Sequence, residues 1–269
     1  MSALLAIEGL TVVYDAAPVV RGVSLTLAAG EVLGLVGESG SGKSTLGMTV
    51  LGLLNPAARV KAGRITLGGD DLMALPPAQR RALCGSTIAL IPQEPMAALN
   101  PTLRIGRQID LVLRRHGKGD GAARRQIAEA ALASVMIADP ARILGSYPFQ
   151  LSGGQLQRVL IALAFALAPR LIIADEPTTA LDMSAQGAVL DLLVSRARDE
   201  GAGVLLISHN LPLVRRHADR VAVMRRGAIV EEGTAAEVLA APAHPYTTAL
   251  IAALPANTPP RTPLPVPEA

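Results

Sequence analysis

Residues 32–45 read VLGLVGESGSGKST. Five apolar residues in a row, without alternation, describe a strand buried on both faces, as in a parallel sheet covered by helices. Directly after them, Gly37, Gly42, Lys43 and Ser44 satisfy the pattern G-x-x-x-x-G-K-[ST]. Such a turn can aim several backbone N–H groups at one anion, because glycine accepts positive φ and puts no Cβ in the way. Gly40 and Gly42 supply that freedom, and Ser39, Ser41 and Thr45 belong to the same binding stretch. Lys43 adds a point charge, Ser44 offers a hydroxyl to Mg²⁺, and the helical pattern STLGMTVLGLL that follows points its positive end at the anion. The plainer alternative is a glycine-rich turn between strand and helix that binds nothing.

Two more runs repeat the pattern: LIIA at 171–174, followed by DEP, and VLLI at 204–207, followed by SHN. In open α/β sheets ligands bind outside the carboxyl ends of the strands, so the polar residues after all three runs are expected at one sheet edge. Asp175 is placed to hold Mg²⁺ and Glu176 to polarise an attacking water, although acids after a strand also cap helices. A ring N–H of His209 is placed to contact a γ-phosphate or to orient Glu176. Gln93, after TIALIP, is a candidate for Mg²⁺ or the water. Tyr14, after the first strand, is either an adenine-stacking ring or an ordinary edge-strand aromatic.

The second glycine-rich helix start is LSGGQ at 151–155. Ser152, Gly153 and Gly154 open a strongly helical segment with bare N–H groups, and Gln155 falls where a capping box needs it. Capping and anion binding are compatible. One chain can hardly fold both cradles onto one nucleotide. A head-to-tail pair, each chain's first cradle facing the other's second with ATP between, resolves this and makes two sites at once.

The rest of the chain sets bounds. LAIEGLTVVY, VSLTL and RITLG alternate and read as a smaller antiparallel sheet. From about 94 to 168 strand signals vanish, and RIGRQIDLVLRRHG and AARRQIAEAALASVM have helical spacing, split by GKGDG. RVAVM and AIVEEG suggest a hairpin around RRG, and the tail from Leu254 holds six prolines and is expected to be extended. The domain reading is therefore a nucleotide-binding α/β core of 1–93 and 169–240, a helical subdomain of 94–168, and a C-terminal extension of 241–269. No internal repeat is found. Net charge is only +3 among 269 residues, too little to argue for nucleic acid, and a lone cysteine excludes a disulfide, zinc ribbon or iron–sulfur cluster. The N-terminus lacks the plan of a signal peptide, and the longest clean apolar stretch, Val159 to Ala168, is far short of the roughly 20 residues of a spanning helix.

Together these motifs resemble the ATP-binding cassette (ABC) ATPases over about residues 4–254. GESGSGKS resembles the Walker A loop, LIIADE the Walker B strand and LSGGQ the family signature. Gln93 matches the Q-loop, ALD at 180–182 the D-loop, His209 the switch histidine and Tyr14 the adenine-stacking aromatic. The resemblance implies a P-loop NTPase (RecA-like) α/β core with a parallel central sheet, an N-terminal antiparallel β-subdomain and an inserted helical subdomain. It implies ATP and Mg²⁺ as cofactors, with Ser44, Gln93 and Asp175 on the metal and Asp182 near the seam of a dimer. It also implies two permease subunits, a second ATPase that is a paralogue more readily than a copy, and indirectly a substrate-binding protein. The location implied is peripheral, on the cytoplasmic face of the bacterial inner membrane. Where the family usually has Asp after the histidine, this chain has Asn210. IPQEPMAALNP and HPYTTALIAALP (244–255) resemble the peptide and nickel uptake group, whose members often continue into a cysteine-bearing segment; the proline tail here carries no cysteine, so a dipeptide, nickel or metallophore variant is expected rather than the longer oligopeptide type.

Rival classes fit less well. Chromosome and repair relatives carry a long heptad insertion before the signature, whereas here that region is short and broken. Translation factors carry two cassettes, and a GTPase carries N-K-x-D. The ATPase of an exporter, or a non-transport ABC protein, remains the alternative within the family.

Overall fold

A computed structural model describes residues 3–254, less the side chains of Met183 and Ser184. The first half of the chain carries β1 (Leu5–Tyr14), β2 (Ala17–Leu27), β3 (Val32–Val36), α1 (Lys43–Leu51), β4 (Ala58–Leu67), β5 (Asp70–Asp71), α2 (Pro77–Leu83), β6 (Ile88–Ile91), α3 (Pro95–Ala98), α4 (Ile105–Arg115) and α5 (Gly121–Ser134). The second carries α6 (Pro140–Gly145), α7 (Gly153–Phe165), β7 (Leu171–Asp175), α8 (Met183–Glu200), β8 (Gly203–Ile207), α9 (Leu211–His217), β9 (Arg220–Arg225), β10 (Ala228–Thr234), α10 (Ala235–Ala240) and α11 (Pro245–Ala252). These elements fall into two compact units. One joins the chain through Leu75 to the chain from Leu205 onward, and the other runs Pro76–Val204. The expected proline-rich tail, apart from Leu254, lies outside the described residues.

The first unit contains an antiparallel sheet of order β2-β1-β4-β5. Alternation in β1 puts Leu5, Ile7, Leu10 and Val12 inside, as the period of a half-buried strand demands. The register breaks between Ile7 and Leu10, where Gly9 adopts positive φ. The same unit sets β3 beside β9, in parallel, and β10 antiparallel to β9 through the turn at Arg226–Gly227, which is the hairpin expected around RRG. Every residue of β3 is buried. Each Val or Leu so enclosed contributes about 1.5–3 kcal/mol, so the strand that delivers the glycine loop is also an anchor of the core.

In the second unit, β6 and β7 pair in parallel from Ile88↔Leu171 to Ile91↔Ala174, so their carboxyl ends finish side by side. Between them the described residues of 94–168 are helical segments and turns. GKGDG separates α4 from α5, and Asp120 caps α5 by accepting from the Ala123 N–H at 2.9 Å. Ile105, Ile109 and Leu113 form the buried stripe of α4 at four-residue spacing.

Gly34 marks where α9 crosses β3: a Cβ there would lie 2.5 Å from Val214 Cγ1 and 3.3 Å from Ala218 Cβ. Gly34→Ala should therefore destabilise the fold by about 1–3 kcal/mol, the usual penalty of overpacking, read as a lower urea midpoint with unchanged slope.

Candidate functional site

Each unit presents one glycine-rich helix start and the polar residues around it. In the first unit, the loop from β3 to α1 carries positive φ at Gly37 (150°), Gly40 (79°) and Gly42 (103°). Two of these glycines are required by space as well. A Cβ on Gly37 would sit 2.1 Å from the Met224 carbonyl oxygen, and one on Gly42 would sit 2.6 Å from the Val19 carbonyl oxygen. Lys43 is 5% exposed, and its Nζ donates to the carbonyls of Gly37 (2.9 Å) and Glu38 (2.8 Å) and to Ser41 Oγ (3.3 Å). The hairpin turn braces the loop from outside: Gly227 N–H donates to Ser41 O at 3.0 Å, and Arg21 N–H donates to Gly227 O at 2.8 Å. Ser41 is buried, Thr45 half-buried, and Ser39, Gly40 and Ser44 are exposed. The N-cap of α1 is Gly42, which has no side chain to cap with, and no acid stands in the first turn. Such a helix start offers N–H groups and a positive dipole end to an anion.

The same unit places His209, exposed, just after β8. Its neighbour Ser208 is buried and donates its N–H to Leu35 O of β3 at 3.2 Å. Asn210 caps α9: its Oδ1 accepts from the Leu213 N–H at 3.3 Å, and its own N–H donates to Ser208 Oγ at 3.0 Å. The departure from aspartate thus keeps the capping acceptor and loses only the charge. Tyr14 is the last residue of β1, half-buried, opposite Ala17 and Ala58.

In the second unit, β7 ends in Asp175, 6% exposed, and Glu176 follows with a φ of 48°. A left-handed non-glycine residue costs roughly 1–2 kcal/mol, so this carboxylate is held in place by its surroundings. Glu176 Oε2 accepts from Gln93 Nε2 and from Thr179 Oγ1, both at 3.0 Å. Gln93 arrives from the end of β6, the parallel neighbour of β7, so the sheet register brings the two residues together. Thr179 is a partner that sequence reasoning missed. The signal available was a hydroxyl three residues after the acid, within reach once Glu176 turns back.

LSGGQ forms the start of α7. Ser152 Oγ accepts from the Gln155 N–H at 3.3 Å and Gln155 Oε1 accepts from the Ser152 N–H at 3.1 Å, a complete capping box. The helix itself supplies no partner for the N–H groups of Gly153 and Gly154, and no acid occupies the first turn. A Cβ on Gly153 would lie 3.5 Å from the Ala180 carbonyl, so this helix start adjoins the ALD segment. Asp182, exposed, caps α8 by accepting from the Ala185 N–H at 2.9 Å.

A cleft of about 450 Å³ among α4, α5 and α6 contains none of the residues singled out above. Arg104, Arg107 and Arg124 line it beside Asp110, whose carboxyl is held below the usual range by the Arg124 guanidinium first and Arg107 after it. Among the described residues no group of His, Cys, Asp and Glu is arranged to hold a metal by itself, and no helix is long and apolar enough to cross a membrane.

Known proteins share the sequence and the fold of this chain. The profile of the family described as ABC transporter matches residues 20–179, and that of the oligopeptide/dipeptide transporter C-terminal region matches 230–268. The dipeptide transport ATP-binding protein DppD of Escherichia coli (strain K12) is 44% identical over 257 residues, covering 94% of this chain and 79% of the relative. The peptidoglycan transport ATP-binding protein YejF of Agrobacterium fabrum is 48% identical over 241 residues, covering 89% of this chain and 44% of the relative. Among solved structures, the ATP-binding cassette MJ0796, a dimer in a post-hydrolysis state bound to ADP and Pi, superposes with a TM-score of 0.76 at 26% identity, over 86% of this chain and 98% of the other. The fold is that of the P-loop NTPases, and the chain belongs to the ABC transporter family of ATPases.

Proposed function

We propose that this chain is the ATP-hydrolysing subunit of a peptide importer, acting as one half of a pair that clamps ATP between its members. The observation that carries this reading is the pair of glycine-based helix starts, α1 and α7, neither with an acid in its first turn. Each is suited to phosphate. In the pair, α1 of one member takes the triphosphate and α7 of the other seals its terminal phosphoryl group, and a two-fold arrangement forms both sites together. The γ-phosphate is then the differential contact that favours the closed pair over the open one. The cargo reading rests on the dipeptide and peptidoglycan transport named for the relatives and on the match at 230–268. The nickel variant has no such support. The opposite ATPase is a paralogue in this reading, the pair sits peripherally beneath two permease subunits at the inner membrane, and a binding protein delivers the cargo.

Within the site, Lys43 and the N–H groups of loop 37–45 bind and orient the phosphates. The donors assigned to Mg²⁺ fit a hard cation: the Ser44 hydroxyl, the Asp175 carboxylate and the Gln93 amide oxygen are all oxygen ligands. Gln93 spends its amide N–H on Glu176, which turns its oxygen away from that carboxylate. When bound, the ion neutralises phosphate charge. Glu176, aimed by Gln93 and Thr179, accepts the proton of the attacking water, and His209 steadies the γ-phosphate. Asp182 lies at the seam and Tyr14 stacks on adenine. Gln93 also begins the helical segment 94–168, so the reading gives that segment the task of carrying the nucleotide state to the permease.

Lys43→Ala should raise the Kd for ATP of the isolated chain about 10- to 100-fold in a calorimetric titration, the worth of one charged hydrogen-bonding group. Glu176→Gln should bind ATP normally, lose about 10²- to 10⁴-fold in kcat, and accumulate a closed pair on a sizing column. Near-normal turnover in that variant would contradict the catalytic assignment. Gly153 has room for a side chain at ordinary contact distance, so Gly153→Glu should fold and bind ATP as a single chain. Its carboxylate should nonetheless block pair formation and ATPase activity in the assembled complex, and retained activity would count against the clamp.

A further inference from the structure

The segment HPYT at 244–247 opens α11, and its backbone is tied to the sheet that supports the glycine loop. The Glu231 carboxylate of β10 accepts from the N–H groups of Ala243 (2.7 Å) and His244 (3.1 Å). His244 Nδ1 in turn accepts from the Tyr246 N–H at 3.1 Å. The Tyr246 ring is 3% exposed, and the Arg225 guanidinium lies 4.8 Å from its centroid. Arg225 follows Met224, whose carbonyl packs against Gly37. The hydroxyl end of Tyr246 accepts from the Glu38 N–H at 3.0 Å. Burial pushes the phenol up, so it stays protonated at neutral pH.

Glu38 N–H and Gly37 C=O belong to one peptide unit. That unit is planar, with the two groups pointing in opposite directions. Its N–H is held by Tyr246, and its carbonyl accepts from Lys43 Nζ at 2.9 Å. Gly37 has no Cβ to resist rotation, so an unheld peptide here would turn readily. A turn would withdraw the carbonyl from Lys43 and send the N–H inward.

The geometry points to Tyr246 as a positioning residue of the nucleotide site, its hydroxyl locking the Gly37–Glu38 peptide and so setting where loop 37–45 presents Lys43 to a triphosphate. The inference rests on the nucleotide-binding reading of that loop. It links the C-terminal region, some 200 residues away in sequence, directly to ATP affinity.

The test uses the full chain, with Mg·ATP titrated by calorimetry and thermal unfolding recorded without nucleotide. Tyr246→Phe keeps the ring under Arg225 and removes only the hydroxyl. It should leave Tm close to wild type and raise the Kd for ATP about five-fold, the factor for one net hydrogen bond. Tyr246→Leu should lose both stability and affinity, so that Phe restores the first and not the second. In the assembled transporter, Tyr246→Phe should raise KM for ATP with kcat within about two-fold. Thr248→Ala, exposed on the same helix, should change neither. A Phe variant that binds ATP as tightly as a binding-competent wild type overturns this inference alone. A wild type that takes up no ATP overturns the nucleotide reading and this inference together.

Discussion

The whole arrangement depends on a backbone loop, 37–42, held in left-handed conformations and fixed by contacts on both of its sides. A chain of L-residues does not do this unaided. Gly37, Gly40 and Gly42 accept the positive φ values, and Gly37 and Gly42 in addition have backbone carbonyls where a Cβ would go. The carbonyl side is satisfied from within by Lys43 and from outside by the N–H of Gly227. Val19 on β2, Met224 on β9, the hairpin turn and Tyr246 on α11 all close on this one loop. The fold of the first unit can be read as the means of holding it still, with β3 as its buried anchor.

The second helix start achieves a similar end differently. Gly42 leaves α1 uncapped, so the helix end relies on the loop. At α7, by contrast, Ser152 and Gln155 satisfy each other and leave Gly153 and Gly154 to present their N–H groups. A self-satisfied cap needs no brace, which suits the proposed role of this helix start in a pair. Glu176 shows a third solution: a carboxylate in a left-handed conformation, fixed by Gln93 and Thr179. Strain of this kind is retained where direction matters more than stability.

Much of this was legible in the sequence because it is local. VLGLV, LIIA and VLLI are apolar throughout, and β3, β7 and β8 are buried throughout. The two glycine helix starts and the broken helical segment around GKGDG were legible for the same reason. β4 was seen only in part. RITLG alternates, but the strand begins at Ala58: ARVKA alternates as well, small or branched apolar residues against Arg59 and Lys61, in a stretch with no buried residue that pairs with β1 up to Tyr14. Partners that arise from folding have no periodic pattern to announce them. Thr179 is ordinary until Glu176 turns towards it, and nothing in HPYT announces a hydroxyl that meets Glu38. Asn210 stands where the family usually has aspartate, and it caps α9 through the same acceptor position an aspartate would use.

The central claim is that backbone N–H groups of two different chains close on one triphosphate, and amide hydrogen exchange reads those groups directly. The measurement compares the assembled transporter with and without ATP, in the Glu176→Gln background so that the nucleotide persists. The account predicts slowed exchange in peptides covering 39–45 and also 152–156, the second only when both ATPases are present. Protection at 39–45 with unchanged exchange at 152–156 in the full complex would contradict it.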